Sequence, residues 1–468
     1  MTATSSISAN TSQSTLRERW HWYLYKWATG YRVADDLARL EREQYLPREQ
    51  LEALQLERLR AIVAHAATHV PYYRNLFRTI GFSPSDMRSL DDLAALPVLE
   101  RETVRDQVDQ LIADNVARDR LHLSRTAGTT GMPLRVYSDA PAMKVASARY
   151  WRAHLAWGYR PGDKILRLLR IPGRDSWSTP IRDWVRAVLS RDKRMNVDDC
   201  SEQGLARVAT AIRAWQPQFL RGNVAVFNLL AAYLEHANER LEVPCVISGA
   251  ELMTADDRAR FLDRIGRDVL DFYSAHEAPG LAFECMAHEG LHLASESFVV
   301  EVIANGRPAR AGEVGEVLVT VLTNPAMPLI RYRLGDALTP LDKPCSCGRT
   351  LPLARMTHGR MLDIISTPDG HFLPPYVFLQ LFRRVGETTI SRFQIVQDEI
   401  ARLRIRVVRK PDYSTETERT LVQAIRHEMG EGVCIEFEYV EKIDLTPGGK
   451  RRITQSCIPV HFNAESRR

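Results

Sequence analysis

The sequence has little of what marks a membrane, secreted or nucleic-acid-binding protein. No apolar run approaches the ~20 residues that span a bilayer, and the best run, 224–234, contains Asn228. Residues 1–15 are rich in Ser and Thr without an apolar core, which predicts a disordered tail and no secretory signal. A net charge of +5 over 468 residues is too small to predict a nucleic-acid partner. We therefore expect a soluble, globular, cytoplasmic protein.

The seven cysteines are scattered and odd in number, which predicts a reducing compartment and no disulfide framework. Cys345 and Cys347 form a tight C-x-C pair, and Cys285 precedes His292 by seven residues. Thiolates and imidazole are the usual ligands of structural zinc. These pairs are a candidate zinc site, with His288 as the other candidate for the fourth ligand. Buried free cysteines, which are common, are the alternative.

The sequence also lacks the G-x-x-x-x-G-K-[ST] loop that holds phosphates in many nucleotide-binding proteins. It has instead the segment Thr126-Ala-Gly-Thr-Thr-Gly-Met-Pro133. The glycines of this segment allow close backbone approach, and its hydroxyls add donors for a polyanion. The flanking residues 120–124 and 134–137 favour β structure, so we predict that the loop joins two strands. On local composition, a Gly/Thr-rich hairpin turn explains the segment equally well.

The apolar pattern predicts an α/β protein with two or three domains, since 468 residues exceed the size of a single growing core. Helical and strand-like segments alternate through the middle of the chain, as in layered α/β domains. The helical segments are 141–157, 201–215, 224–238 and 255–265, and the strand-like ones are 164–169, 219–220, 243–248 and 269–273. Beyond residue 280 the pattern predicts β structure, and beyond 364 it restarts as a unit of a small domain's size.

The N-terminal part is predicted to be helical with a long interruption. Apolar residues at helical spacing predict a helix over 51–68, and Val70-Pro71 is expected to stop it. A turn-rich stretch is then predicted, followed by a short helix at 89–97 and another from about Glu100.

Polar residues follow several predicted strands, where α/β sheets bind ligands. A phosphate loop needs a carboxylate for Mg²⁺, another for ribose hydroxyls, a ring for the base and cations for phosphate charge. The candidates, in that order, are Glu277, Asp336, Tyr273, and Arg360 with Lys450. Each has a structural alternative when taken singly: a turn residue for Asp336, a helix cap for Glu277 and a surface turn around Lys450.

As an ordered set, these segments resemble the phenylacetate–CoA ligase family, in the branch with CapK-like proteins, within the adenylate-forming superfamily. The resemblance runs from about residue 51 to the end of the chain. The segments that carry it are Thr126-Ala-Gly-Thr-Thr-Gly131, Ile247-Ser-Gly-Ala-Glu251, Tyr273-Ser-Ala-His-Glu277, Pro328-Leu-Ile-Arg-Tyr-Arg-Leu-Gly-Asp336, Cys347-Gly-Arg-Thr-Leu-Pro352, Gly359-Arg360 and Thr446-Pro-Gly-Gly-Lys450, with His69-Val-Pro-Tyr-Tyr-Arg74 and Leu96-Pro-Val-Leu-Glu-Arg-Glu102 nearer the N terminus.

The resemblance implies an α/β fold with a large multi-layer N-terminal domain of mixed sheets and helices, 16–362. A small α+β C-terminal domain that swivels, 363–468, would follow. The implied activity is ATP- and Mg²⁺-dependent conversion of an aryl or acyl carboxylic acid to acyl-AMP with release of pyrophosphate. Transfer of the acyl group to coenzyme A would complete the reaction.

Roles of individual residues also follow from the resemblance. Phosphate contacts fall to Thr126, Gly128, Thr129, Thr130 and Gly131, and the rest of the nucleotide site to Gly249, Ala250, Glu251, Tyr273, Ser274 and Asp336. Glu277 would bind Mg²⁺, and Arg360 would lie near ribose and phosphate. Lys450 would be the catalytic lysine that bridges the carboxylate and the α-phosphate. Relatives carry a metal at the matching Cys/His positions, which favours zinc at Cys285, His292, Cys345 and Cys347.

Two departures from the family pattern bear on function. Met132 stands where the loop usually has a lysine, so one phosphate contact is missing or supplied elsewhere. Leu362 stands at the expected hinge position, which leaves the acyl acceptor open. A carrier-protein thiol, an amine or another nucleophile is the alternative to coenzyme A. A non-catalytic nucleotide-binding relative is the alternative from a different class, although it would not need the charges of Glu277, Asp336 and Lys450. The sequence sets neither the acid nor the oligomeric state.

Overall fold

A computed structural model of the protein describes residues 33–125, 134–169, 191–197, 199–304, 306–358, 365–369, 372–373, 375–386, 389–443 and 453–458. Several predicted features lie outside these residues: the tail 1–15, the loop from Thr126 to Pro133, Arg360, Leu362 and Lys450.

One large sheet organises residues up to 358. Its strands are β3 (Ile165–Leu169), β4 (Asp192–Asn196), β5 (Phe219–Asn223), β6 (Cys245–Gly249), β7 (Val269–Tyr273), β8 (Ala282–Glu284), β9 (Leu291–Leu293), β10 (Phe298–Ala304), β11 (Arg307–Pro308), β12 (Gly315–Val321), β13 (Tyr332–Leu341) and β14 (Leu353–His358). They are ordered across the sheet as β11-β10-β12-β13-β14-β9-β8-β7-β6-β5-β3-β4. A separate antiparallel pair, β1 (His122–Arg125) and β2 (Arg135–Ser138), precedes them, so the predicted strand–loop–strand setting of 126–133 is confirmed for its flanks.

The large sheet changes character along its width. The strands from β4 to β7 pair in parallel, as expected from the predicted alternation of helix and strand. From β7 onward each pairing is antiparallel, which fits the β pattern predicted beyond residue 280. The α/β fold class with mixed sheet is therefore confirmed.

Helices cover the faces of this sheet. They are α1 (Ala34–Glu43), α2 (Arg48–His69), α3 (Pro71–Ile80), α4 (Arg101–Asp106), α5 (Ala140–Ala156), α6 (Glu202–Trp215), α7 (Val224–His236) and α8 (Ala255–Arg264), with short 3₁₀ turns at Pro84–Asp86, Asp91–Ala95, Val108–Gln110 and Arg118–Arg120. Side-chain caps fix where several helices begin: Asp139 caps α5, Ser201 caps α6, Asn223 caps α7 and Thr254 caps α8.

The turn-rich stretch was predicted to begin after Pro71, but in the structure it begins after Gly81. Pro71 is the first residue of helix α3, which ends at Gly81 with φ +67°. Proline is well placed at a first helical position because its missing N–H has no partner there and its φ already suits a helix. The proline therefore separates two consecutive helices.

Three apolar clusters stabilise the large sheet. One lies against α6, α7 and α8 and includes Leu166, Leu220 and Val246. A second lies on the other face with α1 and α5 and includes Phe219 and Phe272. The third joins the antiparallel strands to α2 and α3. Alternate residues of each parallel strand thus face different helices.

Residues from 365 onward form a second sheet with its own core. Its order is β19-β18-β17-β20, with β17 (Ile390–Glu399), β18 (Arg402–Arg409), β19 (Cys434–Tyr439) and β20 (Thr454–Ser456). Helices α9 (Pro375–Gly386) and α10 (Thr415–Met429) contribute to the same apolar cluster, and β15 (Ile365–Ser366) pairs with β16 (Phe372–Leu373). None of the described helices combines the length and apolar character needed to cross a membrane.

Candidate active site

Three parallel strands end together at one edge of the large sheet. Asn223, Gly249 and Tyr273 are the last residues of β5, β6 and β7. The register pairs Asn223 with Gly249, and Gly249 with Phe272. Because open α/β sheets bind ligands beyond the carboxyl ends of their strands, this edge is the candidate active site. The polar residues that follow β6 and β7 in the sequence lie at this edge.

The backbone is constrained just after β6. A Cβ atom on Gly249 would lie 3.0 Å from the backbone oxygen of Phe272, so a larger residue would press β6 and β7 apart. Ala250 has φ +69°, a left-handed conformation that costs a non-glycine residue about 1 kcal/mol or more. Backbone strain of this kind is concentrated at ligand sites.

Glu251 contacts the start of helix α7. Its Oε2 accepts a 2.7 Å hydrogen bond from the backbone N–H of Ala225. Burial raises the pKa of Glu251 to about 7, although the Ala225 hydrogen bond acts in the opposite direction. The carboxyl group therefore ties the turn after β6 to the helix that follows β5, a contact that the sequence did not predict.

Tyr273 and Asp336 are joined by a hydrogen bond of 2.7 Å from the tyrosine hydroxyl to Oδ2. Between the pairs Glu316–Ala337 and Leu318–Arg333, the register of β12 and β13 shifts. Gly335, with φ +76°, lies inside this bulge. Bulges re-aim side chains next to binding sites, and this one accompanies the approach of Asp336 to the end of β7.

Glu277 is buried beside two residues from distant parts of the chain. Arg101 Nη1 lies 2.9 Å from Glu277 Oε1, and the hydroxyl of Tyr332 donates to the same oxygen at 3.2 Å. Arg101 Nη1 also donates to the Tyr332 hydroxyl at 3.4 Å. Glu277 Oε2 has no hydrogen-bond partner among the residues that the structure describes.

The charges of this triad support one another. Burial acts to lower the pKa of Arg101, but Tyr332 and Glu277 hold it above the ordinary value. Burial, together with the Glu277 carboxylate, raises the pKa of Tyr332. Tyr332 therefore remains a neutral hydrogen-bond donor, and Arg101 remains a cation.

The segment between Tyr273 and Gly280 is held at both ends. Ser274 Oγ accepts a 3.0 Å hydrogen bond from the N–H of Gly280, and Arg149 Nε donates to the carbonyl of Pro279 at 2.9 Å. Arg149 extends from helix α5 and also lies over the ring of Phe298. The sequence predicted Ser274 as a nucleotide contact, and in the structure its hydroxyl stabilises the turn that presents Glu277.

A second cluster lies away from this edge. The Sγ atoms of Cys285 and Cys345 are 3.6 Å apart, and Nε2 of His292 is 3.4 Å from the Sγ of both Cys285 and Cys347. The four donor atoms lie within 4.8 Å of one another. The structure thus brings together the four residues that the sequence analysis favoured.

His288 does not join this cluster. Its Nδ1 lies 3.0 Å from Glu284 and its Nε2 lies 3.0 Å from Asp268. Both ring nitrogens face carboxylates, which raise the pKa of His288. His292, whose pKa is lowered to about 4 by burial and by Arg349, is the imidazole of the cluster.

The environment of the thiols differs from one cysteine to the next. Burial raises the pKa of Cys285 and of Cys345. Burial also acts to raise the pKa of Cys347, but hydrogen bonds from the backbone and side chain of Arg349 hold it below the ordinary value. Arg349 is therefore a cation that favours thiolate charge in this cluster.

The sequence did not predict the residues that support the site. Arg101 and Tyr332 contact Glu277, and Arg149 contacts the turn before Gly280. Arg101 lies in the segment from Leu96 to Glu102 that carried part of the family resemblance, and Tyr332 lies in the segment ending at Asp336. Their positions in these family-like segments were the only indication in the sequence that they belong to the site. The segment from Thr126 to Pro133, Arg360 and Lys450 lie outside the described residues.

Comparison with known proteins places this geometry in a family. A sequence model of the CapK C-terminal domain matches residues 365–456. The phenylacetate-coenzyme A ligase of Aromatoleum evansii is 30% identical over 354 residues, which cover 72% of this chain and 77% of that protein. The enzyme of the same name from Thermus thermophilus is 29% identical over 332 residues, covering 69% of this chain and 72% of that protein.

Solved structures show the same fold. The structure of 2-hydroxyisobutyryl-CoA ligase in complex with 2-HIB-AMP and CoA in the thioesterification state matches with a TM-score of 0.60 at 21% identity. The match covers 89% of this chain and 92% of that one. Because it is 30% identical to a curated phenylacetate-coenzyme A ligase and covers 77% of that protein, the chain belongs to the phenylacetate–CoA ligase family of AMP-forming ligases.

Proposed function

We propose that this protein activates a carboxylic acid with ATP, forming acyl-AMP and pyrophosphate, and then passes the acyl group to coenzyme A. The observation that carries the proposal is the Tyr273–Asp336 hydrogen bond at the strand edge. It places an aromatic ring and a carboxylate side by side, as a nucleoside requires, in the same region as the buried carboxyl of Glu277.

The nucleoside would be bound by groups at the ends of β6 and β7. The ring of Tyr273 offers a face for the adenine base. Asp336, oriented by the tyrosine hydroxyl, would accept hydrogen bonds from the ribose hydroxyls. Gly249 and Ala250 form the turn beside them, and a side chain at position 249 would press β6 and β7 apart.

Glu277 is the proposed magnesium ligand. Its Oε1 is engaged by Arg101 and Tyr332, so Oε2 is the oxygen that remains for a cation. Magnesium is bound through one or two carboxylates together with substrate phosphates, and it would neutralise phosphate charge. Arg101 fixes the carboxylate and offsets part of its negative charge. The site alone would therefore attract a cation weakly, and we expect magnesium to bind together with the anionic phosphates.

The chemical step is displacement at the α-phosphorus. An oxygen of the substrate carboxylate forms the new P–O bond, and the bond to the bridging oxygen of pyrophosphate breaks. By their positions in the sequence, the loop Thr126–Gly131, Arg360 and Lys450 would stabilise the negative charge that builds on the phosphate oxygens. The nucleophile is already ionised, so the step needs no general base.

The acceptor in the second step has an alternative. Leu362 stands at the position where the family pattern has an acidic hinge residue. This departure is the reason to test the alternative to coenzyme A, which is a carrier-protein thiol, an amine or another nucleophile. An assay for the acyl-CoA thioester distinguishes coenzyme A from these alternative acceptors.

We further propose a structural zinc ion at Cys285, His292, Cys345 and Cys347. A tetrahedral ion with bonds of ~2.3 Å to sulfur and ~2.0–2.1 Å to nitrogen separates its ligands by roughly 3.5–3.8 Å. The separations of 3.6 Å between two sulfurs and 3.4 Å between nitrogen and sulfur suit that geometry. The ion would join two loops and contribute to folding, away from the strand-edge site.

The boundary between the two parts of the chain is also a proposal. We place it between residues 362 and 363, with a large unit from 16 and a small unit from 363 to the end. The separate apolar cluster formed by residues from Ile365 to Ile453 supports this division. A swivel of the small unit would bring Lys450 to the phosphate for the first step and remove it for the second.

Acid-dependent exchange of labelled pyrophosphate into ATP tests the proposal. The purified full chain is assayed with magnesium and a panel of aryl, hydroxy, aliphatic and dicarboxylic acids, and then for AMP and thioester formation with coenzyme A. At least one acid should support exchange. Tight ATP binding with no exchange for any acid would contradict catalysis and favour the non-catalytic relative.

A further inference from the structure

A half-buried cation, Arg221, lies below the strand edge where β5 ends. Arg221 is on β5, two residues before Asn223, and pairs in register with Arg167 of β3 and Ile247 of β6. At about 3.3 Å per residue, it lies about 6–7 Å below the edge where β5 ends. Strand alternation puts its side chain on the same face as Phe219, toward helix α5.

Aromatic rings enclose the guanidinium of Arg221. Its central carbon lies 4.6 Å from the ring centroid of Tyr150 and 4.8 Å from that of Phe272. Nη1 is buried and has no hydrogen-bond partner among the described residues. The residue is half-buried, so part of it remains accessible.

The neighbouring arginine in the same layer is neutralised. Arg167 binds Asp192 through two hydrogen bonds of 2.8 and 2.5 Å. Arg221 has no such carboxylate among the described residues, and His154, the other titratable group of this layer, is held neutral by burial and by Arg221 itself, which lower its pKa. The layer therefore carries one uncompensated positive charge.

A guanidinium with a buried Nη1 and no carboxylate partner is unusual, because buried charges are normally paired. Cation–π contacts with the two rings offset only part of the desolvation cost. A substrate anion that entered from the strand edge would supply the missing partner. Its second charged group would then lie about 6–7 Å from the carboxylate that reacts at the edge.

We propose that Arg221 selects acids that carry a second anionic oxygen group at the end remote from the reacting carboxylate. The inference rests on the proposed acid activation and specifies its substrate class as short dicarboxylates. Two kinds of compound have carboxylates at this separation: aromatic dicarboxylates with carboxyl groups on opposite sides of the ring, and six-carbon aliphatic dicarboxylates.

The test compares matched acids on the purified full chain. Terephthalate is paired with benzoate, and adipate with hexanoate, in pyrophosphate exchange and in calorimetric binding without ATP. We expect the wild type to prefer the dicarboxylate of one pair by at least about 100-fold, because loss of a charge partner from a buried site is costly. The pair that shows the preference identifies the aromatic or the aliphatic source.

Arg221→Met should remove that preference, both in kcat/KM and in binding, while exchange with the monocarboxylate stays within a few-fold. Arg221→Lys should retain part of it, which covers the case in which Arg221→Met does not fold. Arg213→Met, at an exposed position of α6, is the matched control. Thermal unfolding of each variant separates loss of fold from loss of selectivity.

The outcomes separate the two proposals. A wild type that binds monocarboxylates as tightly as dicarboxylates, or that binds neither, overturns the role of Arg221. Exchange with monocarboxylates in that case leaves acid activation standing. Arg221-dependent binding of a dicarboxylate without exchange for any acid supports the selectivity and overturns the proposed catalysis.

Discussion

The hydroxyl of Tyr273 donates a 2.7 Å hydrogen bond to Oδ2 of Asp336. This contact joins the end of a parallel strand to a bulge in an antiparallel strand, across 63 positions of the sequence. The groups proposed to bind base and ribose therefore position each other. The tyrosine hydroxyl therefore contributes to their spacing.

Tyr273→Phe keeps the ring and removes that hydroxyl. A hydrogen bond to a charged group contributes about 1.5–3 kcal/mol, so we expect the KM for ATP to rise by about 10-fold or more while kcat changes little. Steady-state exchange kinetics measure both values. Tyr72→Phe, at a half-buried position of α3, is the control; equal KM values for Tyr273→Phe and wild type would remove the hydroxyl from nucleotide binding.

Lys450→Ala should abolish acid-dependent pyrophosphate exchange. A single lost contact to developing phosphate charge lowers rates by roughly two to four orders of magnitude. The far-ultraviolet circular dichroism spectrum should be unchanged. Lys442→Ala, at an exposed lysine earlier in the chain, controls for lost surface charge. Exchange near the wild-type rate in Lys450→Ala would exclude Lys450 from the chemistry.

Arg101→Met should destabilise the protein by leaving Glu277 buried without its cation. Breaking a buried pair from one side costs about 3–5 kcal/mol, and the lower end applies because Arg101 is partly exposed. Denaturant unfolding measures the effect. The double variant Arg101→Met/Glu277→Gln should recover part of the loss, and strictly additive effects would show that the two residues are not coupled.

Metal analysis of the purified protein should find close to one zinc ion per chain. Cys345→Ser and His292→Ala should lose the ion and unfold at a lower temperature, since a structural ion contributes folding free energy. His288→Ala should keep it, because the His288 ring faces Glu284 and Asp268. Zinc loss in His288→Ala alone, or a stable metal-free wild type, would contradict the four-ligand site.

Glu251 should make stability depend on pH. Burial raises its pKa to about 7, above the ordinary value of 4.5 for an unfolded chain. A raised pKa means that the folded state binds the proton more tightly, so this stabilisation is complete below about pH 4.5 and is lost as pH rises through 7.

Glu251→Gln keeps an oxygen for the Ala225 N–H and cannot ionise. The variant should therefore melt above the wild type at pH 8, and the difference should shrink toward pH 5. Glu242→Gln, at an exposed site paired with Arg267, should not reproduce this trend. Parallel melting curves for Glu251→Gln and wild type across this range would show that the carboxyl is well solvated.

Much of the fold followed from local pattern. The strand at Val269–Tyr273 and the helices from Ala140 and Glu202 appear within a residue of their predicted positions, because apolar spacing and helix caps are encoded nearby in the sequence. The failure at Pro71 was also local. Proline is read as a stop, yet it favours a first helical position equally well.

The supporting contacts of the site could not be predicted in this way. Arg101 and Glu277 are 176 positions apart, and no periodic pattern links residues at such a distance. Glu251 was predicted as part of the nucleotide site, and its contact with the start of α7 emerges only when β5 and β6 pair. The four ligands of the Cys/His cluster were predictable as candidates, but the choice of His292 over His288 required the positions of Glu284 and Asp268.

The Cys/His cluster also has a topological consequence. Cys285 and Cys345 are 60 positions apart, and strands β9 to β13 all lie between them. An ion held by both residues would close this stretch into a ring, and closing a long ring reduces the number of conformations open to the unfolded chain. Without the ion, the unfolded chain would have more conformations to sample before the antiparallel strands pair. Chelation would therefore slow refolding even where the native contacts are unchanged.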